Sequence, residues 1–217
     1  MARPPSRLGR NTRRALLDKG LELFAEKGFF GTGLRDLARA VGVRESTLYY
    51  HFPGKEALFE AILEEDDSDH QAAIRLIEQP IRSAGVFLRV IARRVLAHFA
   101  TLRQRRLHRI LMSDGFRLAT SGQVNLLERM GGRVALFTRA MERLVAARLL
   151  RADRSPDLLG IEFAAPLLVW RQLKDVHPGH PAVVAPEAFI KLHVEQFLMG
   201  AARVSRTRPA PRTRSRA

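Results

Sequence analysis

Thr32-Gly-Leu-Arg-Asp-Leu-Ala-Arg-Ala-Val-Gly-Val-Arg-Glu-Ser-Thr-Leu-Tyr-Tyr-His-Phe-Pro-Gly-Lys-Glu-Ala-Leu-Phe59 reads as a helix, a tight turn, a second short helix, a stop and the start of a third helix. Leu34, Leu37, Ala38 and Val41 fall at i, i+3, i+4 and i+7, an apolar stripe whose opposite side carries Arg35, Asp36 and Arg39. Thr32 can cap this helix through its hydroxyl, and Asp36 suits the positive end of the helix dipole. Gly42 supplies the left-handed residue that ends it, and Val43 turns back toward the core.

The next helix, Glu45 to His51, has only Leu48 and, just past its end, Phe52 to bury. Arg44, Glu45, Ser46, Thr47, Tyr49, Tyr50 and His51 must therefore face something other than core. Short hydroxyls and amphipathic rings on a short helix suit a major groove, where they reach base edges and phosphate oxygens. One of the two tyrosines is expected to pack beneath the helix with its hydroxyl wet. Pro53-Gly54 stops the helix, and Lys55 with the first N–H groups of the following helix forms a second phosphate-binding point.

The segment from Gly28 to Leu58, and above all Thr47-Leu-Tyr-Tyr-His-Phe followed by Lys55-Glu, resembles the N-terminal DNA-binding domain of the TetR family of bacterial transcriptional regulators. The resemblance covers roughly residues 11–63. It implies an all-α fold: an N-terminal three-helix helix-turn-helix head joined to a larger helical body that binds a small effector and forms a homodimer. By the same resemblance the DNA-contacting positions are Thr32, Gly33, Arg44, Glu45, Ser46, Thr47, Tyr49, Tyr50, His51 and Lys55. Two positions depart from the family pattern: Gly33 stands where a hydroxyl residue is common, and Ser46 where a glycine is common.

Outward from the head, helix 1 is expected over Thr12 to Lys27, with Leu17, Leu21 and Phe24 on one face and Gly28 as its stop. Leu58, Phe59, Ile62 and Leu63 give the helix beginning at Lys55 the task of joining head to body, so a ligand signal is expected to pass through it. In the body, helices are expected over Val86–Leu102, Arg105–Met112 with fraying near Asp114-Gly115, Gln123–Leu149 despite Gly131-Gly132, and Pro156–Lys174 with a bend at Pro166. Val176 to Pro186 is a loop, and a last helix covers Pro186–Val204. That helix is apolar on two sides, Ile190, Val194, Phe197 and Leu198 on one and Phe189, His193, Gln196 and Gly200 on another. A second subunit is the expected neighbour of one side, giving a two-fold dimer built from the last two helices. The division is residues 1–54 for the DNA-binding head with its basic arm, 55–204 for the ligand-binding and dimerisation body, and 205–217 for a disordered basic tail.

The chain has 217 residues, 46% of them hydrophobic, enough for a substantial core. Its 37 Lys and Arg against 22 Asp and Glu leave a formal charge of +15, which points to a polyanionic partner; the helix-turn-helix reading and the resemblance make that partner double-stranded DNA. With no cysteine there is neither a disulfide nor a thiolate metal site, which fits a reducing cytoplasm. No apolar run approaches the ~20 residues of a spanning helix, so no membrane role is expected. Ala2 to Arg10 and Ser205 to Ala217 are basic segments able to lie along phosphates.

No catalytic residue, metal or cofactor is expected. Gly28-Phe-Phe-Gly-Thr-Gly lacks the Lys-Ser/Thr of a phosphate loop and follows a helix. The acidic run Glu64 to His70 reads as a solvated helix face, because successive helical residues cannot converge on one ion. For the effector, His98, Phe99, Met112, Phe116, Met130, Phe137, Met141, Phe163 and Trp170 offer a soft aromatic lining suited to a small apolar molecule. The sequence therefore describes a homodimeric regulator, a repressor of a palindromic operator that the effector releases. The rival from another class is a nucleoid-type or RNA-binding protein acting without sequence preference through its basic tails.

Overall fold

The computed structural model describes residues 7–65, 67–122, 124 and 126–201, with the side chains of all except 7–10, 67–69, 127, 129 and 130. The expected tail 205–217, the start of the basic arm and the side chain of Met130 lie outside the described residues. Among those residues there are ten α-helices and no strand: α1 Arg7–Lys27, α2 Leu34–Val41, α3 Glu45–His51, α4 Lys55–Glu64, α5 Asp67–Ile77, α6 Ala84–Ala100, α7 Leu102–Ser121, α8 Leu126–Ala146, α9 Pro156–Val176 and α10 Pro186–Ala201.

The head forms as its periodicity demands. Leu17, Leu21 and Phe24 of α1, Leu37 and Ala38 of α2, Leu48 of α3 and Phe52 just beyond it are all buried, together with Leu58, Phe59 and Ile62 of α4. Leu34, Val41 and Val43 pack at the edge of this cluster. Its centre is aromatic: Phe24, Phe29 and Phe59 lie with ring centroids 5.2–5.8 Å apart in tilted and edge-on arrangements. Gly42 takes the left-handed conformation (φ 76°), and the following N–H, of Val43, donates to the carbonyl of Ala38 at 3.0 Å. That bond sets the turn between α2 and α3.

Two expectations about the elements are corrected. α1 begins at Arg7, ahead of the expected Thr12, so the inner end of the basic arm is helical. The helix expected to fray near Asp114-Gly115 instead runs unbroken as α7 to Ser121. Tertiary contacts outweigh the cost of a glycine inside it, about 1 kcal/mol. Leu107, Ile110 and Leu118 of α7 belong to the apolar cluster of the head. Asp114 accepts the backbone N–H of Phe29 at 2.8 Å, and the Arg117 guanidinium lies 3.8 Å from the Phe30 ring centroid. Gly28 makes that approach possible: its φ is +79°, and a Cβ there would meet an Asp114 carboxylate oxygen at 2.9 Å.

Head and body are thus joined by α7 as well as by α4. Arg103 of α7 donates to the carbonyl of Ile62 at 2.6 Å and pairs with Glu65 at 3.2 Å, while Arg106 pairs with Glu22 of α1 at 3.2 Å. Asp114→Ala removes the acceptor of a buried-edge N–H, and a charge-assisted bond of this kind is worth about 1.5–3 kcal/mol. Chemical denaturation should show a loss of that size, with Asp114→Asn recovering part of it. An unchanged midpoint would mean the junction does not hold the head.

The body has its own core, built by Phe87, Leu88, Ile91 and Ala92 of α6, Ala140, Met141 and Leu144 of α8, Leu159, Phe163, Leu167 and Trp170 of α9, and Ile190, Val194 and Phe197 of α10. Of the two apolar sides of α10, Ile190, Val194 and Phe197 of the first are buried, and Phe189 and His193 of the second also meet the body: Phe189 stacks on Trp170 at 4.9 Å, and His193 stacks on Phe163 at 5.1 Å. Gln196 and Gly200 are exposed, as are Leu192 and Met199.

Candidate nucleic-acid interface

α3 stands on Leu48 and Phe52 and presents the rest of its surface. Arg44, its extended N-cap, is exposed with Glu45 and Ser46, and Thr47 is half-buried. Tyr50 is 81% exposed and Tyr49 52%, so neither tyrosine packs beneath the helix as expected of one of them. Large aromatic rings left in water on a short helix lack any stabilising role inside the fold. Burial, and secondarily the charge of Arg13, holds the half-buried His51 below the ordinary histidine range, so its imidazole is neutral at pH 7. Its ring meets Tyr50 edge-on at 5.2 Å.

The α2 side adds charge. Arg35 and Arg39 are exposed, and Arg35 Nε donates to Glu45 Oε1 at 2.9 Å, tying the first turn of α2 to that of α3. Glu45 is therefore already paired, its negative charge offset at the start of α3. Gly33 is the exposed N-cap of α2, with no side-chain cap.

Thr32 is a correction. It is buried, and its hydroxyl donates to the carbonyls of Gly28 at 2.8 Å and Leu23 at 3.2 Å. It neither caps α2 nor offers a hydroxyl to DNA; it secures the end of α1. Lys55 also differs from expectation. Its ammonium sits over the Phe29 ring at 4.6 Å and near Phe30 at 5.9 Å, half-buried at the start of α4. A phosphate contact there requires the side chain to swing off this aromatic face. Arg13 was missed: its guanidinium lies 5.2 Å from the Phe52 ring centroid beside His51, adding a cation at the end of α3. Sequence carried no signal for it, since nothing local links α1 to α3.

The expected effector lining separates into two groups. Met141, Phe163 and Trp170 are buried together in the body core, with His98, Phe99 and Phe137 at intermediate depth. Phe116, 83% exposed, and Met112, 60% exposed, point off α7 into solvent and line no interior. The apolar spacing along α7 is real, but its inward side is Leu107, Ile110 and Leu118.

His193 donates through its Nε2 to the carbonyl of Phe163 over 2.8 Å. Burial holds it below the ordinary range, against the opposing pull of that carbonyl, and burial does the same to His108. Histidines depressed on folding take up protons first in the unfolded chain. Stability is then full above the unfolded value, about 6.5, and falls as the pH drops below it. The thermal midpoint should be lower at pH 5.5 than at pH 7.5, and His193→Gln should flatten that slope. A flat profile over this interval in the parent protein would show these histidines to be solvated.

Among the described residues no helix is long and apolar enough to cross a membrane. The family model for bacterial regulatory proteins, tetR family, matches residues 16–62. IcaR, the HTH-type negative transcriptional regulator of the biofilm operon icaADBC of Staphylococcus aureus, is 42% identical over 45 residues, 21% of this chain and 24% of IcaR. The match thus spans about a quarter of that relative's length. Among solved structures, the chain is similar to SmeT in its complex with triclosan, at 20% identity and a TM-score of 0.71, covering 90% of this chain and 93% of SmeT. It is also similar to NalD of Pseudomonas aeruginosa, the secondary repressor of the MexAB-OprM multidrug efflux pump, at 24% identity and a TM-score of 0.67, covering 92% and 100%. These likenesses extend over the body as well as the head, and at such identities they concern the fold.

Proposed function

We propose, from the premise that this chain belongs to the TetR family of bacterial regulatory proteins, that it is a transcriptional repressor, not an enzyme, working in the cytoplasm as a homodimer on a palindromic operator. Residues 1–54 are the DNA-binding part, 55–204 the ligand-binding and dimerising part, and 205–217 a basic tail. The observation that carries this reading is the exposure of Tyr49 and Tyr50 on a helix anchored only by Leu48 and Phe52. In each subunit α3 enters a major groove through Ser46, Thr47, Tyr49, Tyr50 and His51, while Arg44, Lys55 and the N-cap Gly33 face phosphates. Arg13, Arg35 and Arg39 extend that positive surface. Two copies reach half-sites about 34–36 Å apart or a multiple of it.

A small, largely apolar effector binds the body and prefers the arrangement in which the two heads are wrongly spaced, so release follows from differential affinity. The complex of the similar SmeT with triclosan, and the repressor role of the similar NalD, support this reading. α7, fixed to Phe29, Phe30 and Glu22 of the head, carries the change together with α4.

Selection of bound fragments from random duplex DNA by the purified protein tests the proposal. A two-fold symmetric motif is the expected product. Enrichment of no motif, with binding that collapses on trimming residues 1–6 and 205–217, would favour the nucleoid-type or RNA-binding alternative, whose affinity comes from counterion release alone.

A further inference from the structure

Among the described residues of the body is a buried cation that its own fold leaves incompletely used. Arg171, on α9, is 4% exposed. Its guanidinium lies 5.1 Å from the ring centroid of Phe99, on α6, and pairs through Nη2 with Asp175 at 2.5 Å. Its Nε and Nη1 are buried and meet no acceptor among the described residues. One more buried polar atom beside it is in the same condition: Nε2 of His108, on α7, whose titration feels Arg171 and Asp175. Polar atoms buried without partners are rare and costly, and a planar guanidinium fork is matched bidentately by a carboxylate or a phosphate, of which the singly charged carboxylate costs less to bring into a buried, largely apolar site.

We propose that Arg171, with Phe99 and His108 around it, recognises the carboxylate of the effector, so that the inducing molecule is an apolar acid and not a neutral compound. This rests on the ligand-responsive reading above and narrows its chemistry. The apolar part of the molecule packs against the aromatic residues of α6 and α9, and the charge, not the bulk, fixes its orientation. Asp175 is the internal competitor. It holds Nη2, the nitrogen common to both bidentate edges of the fork, Nε–Nη2 and Nη1–Nη2, so the incoming carboxylate pairs with Nε or Nη1 together with the second hydrogen of Nη2 and competes with Asp175 for that nitrogen. His108, kept neutral by burial and by the Arg171 charge, adds no second cation and can donate or accept through Nε2.

Calorimetric titration of the full chain with decanoate and 2-naphthoate, each beside its primary amide, tests this; the fluorescence of Trp170, the only tryptophan, gives a second readout for the decanoyl pair. At least one acid should bind about 10- to 100-fold more tightly than its amide. Arg171→Met should abolish that preference, and Arg171→Lys should keep part of it. Asp175→Asn, which frees the guanidinium and keeps the cation, should tighten binding of the acid several-fold, a gain that a merely structural ion pair cannot give. Acid and amide binding alike, or Asp175→Asn leaving the acid unaffected, would overturn the carboxylate assignment while leaving a ligand-responsive body intact. Failure of both acids and both amides to bind or to release operator DNA would overturn the assignment and count against the ligand-responsive reading too. Should Arg171→Met not fold, the Asp175→Asn result decides.

Discussion

Tyr50→Ala is expected to leave the folding midpoint within about 2 °C of the parent while weakening operator binding by about 30-fold to 20,000-fold. The first half follows from its setting: 81% exposed, with its ring edge-on to His51, Tyr50 contributes almost nothing to the core. The second follows from symmetry. A direct contact with a base edge is worth about 1–3 kcal/mol, and a two-fold dimer loses it twice, about 2–6 kcal/mol in all. Fluorescence anisotropy with the selected operator and a scrambled duplex measures both. Scrambled DNA should bind within a few-fold of the parent, because the substitution leaves the exposed cations around α3, the source of sequence-independent affinity, untouched. Tyr50→Phe separates hydroxyl from ring: a retained affinity assigns the effect to stacking against a base methyl or sugar. Leu48→Ala is the counterpart. Fully buried beneath the same helix, it should cost about 2–5 kcal/mol of stability and lose DNA binding only through unfolding. Equal operator affinity in the parent and in Tyr50→Ala would remove α3 as the reading surface.

What could be read from the chain alone was local. The stripe Leu34, Leu37, Ala38, Val41, the left-handed Gly42 and the anchoring pair Leu48 and Phe52 are set by neighbours within one or two turns, and the structure has each where periodicity puts it. Thr32 shows the limit. Its hydroxyl could reach the first turn of α2, but two carbonyls at the end of α1 capture it, and only the folded arrangement decides that competition. The length of α7 was illegible for a similar reason: the partners that stabilise its middle, Phe29 and Phe30, are some 85 positions away in the chain. Periodicity identified two apolar sides of α10 without saying which faces in, because the stacking of Phe189 on Trp170 and of His193 on Phe163 is decided by residues of α9. Arg171 is less legible still, since a lone arginine in a helix ordinarily faces water.

The outward apolar side of α9 carries the prediction with the largest structural consequence. Leu158, Ile161, Leu168, Val169 and Val176 are all exposed, at spacings that keep them along one flank of the helix, and Leu192 and Met199 of α10 are exposed likewise. Single exposed apolar residues are ordinary; a stripe of them along adjacent helices marks a surface that another protein covers. The reading assigns that cover to a second copy of the chain, with α9 and α10 of each subunit forming the seam. Ile161→Glu with Leu168→Glu would place uncompensated carboxylates in the seam, each costing several kcal/mol if buried there. Light scattering should then report a single chain of unchanged helical content. Operator affinity should drop by about two to four orders of magnitude, the gain that linking two heads provides, whereas affinity for an isolated half-site should hold. The two measurements must move together. A dimer that survives both substitutions would place the seam elsewhere, and a monomer that still binds the full operator as tightly would show that spacing of paired heads plays no part in recognition.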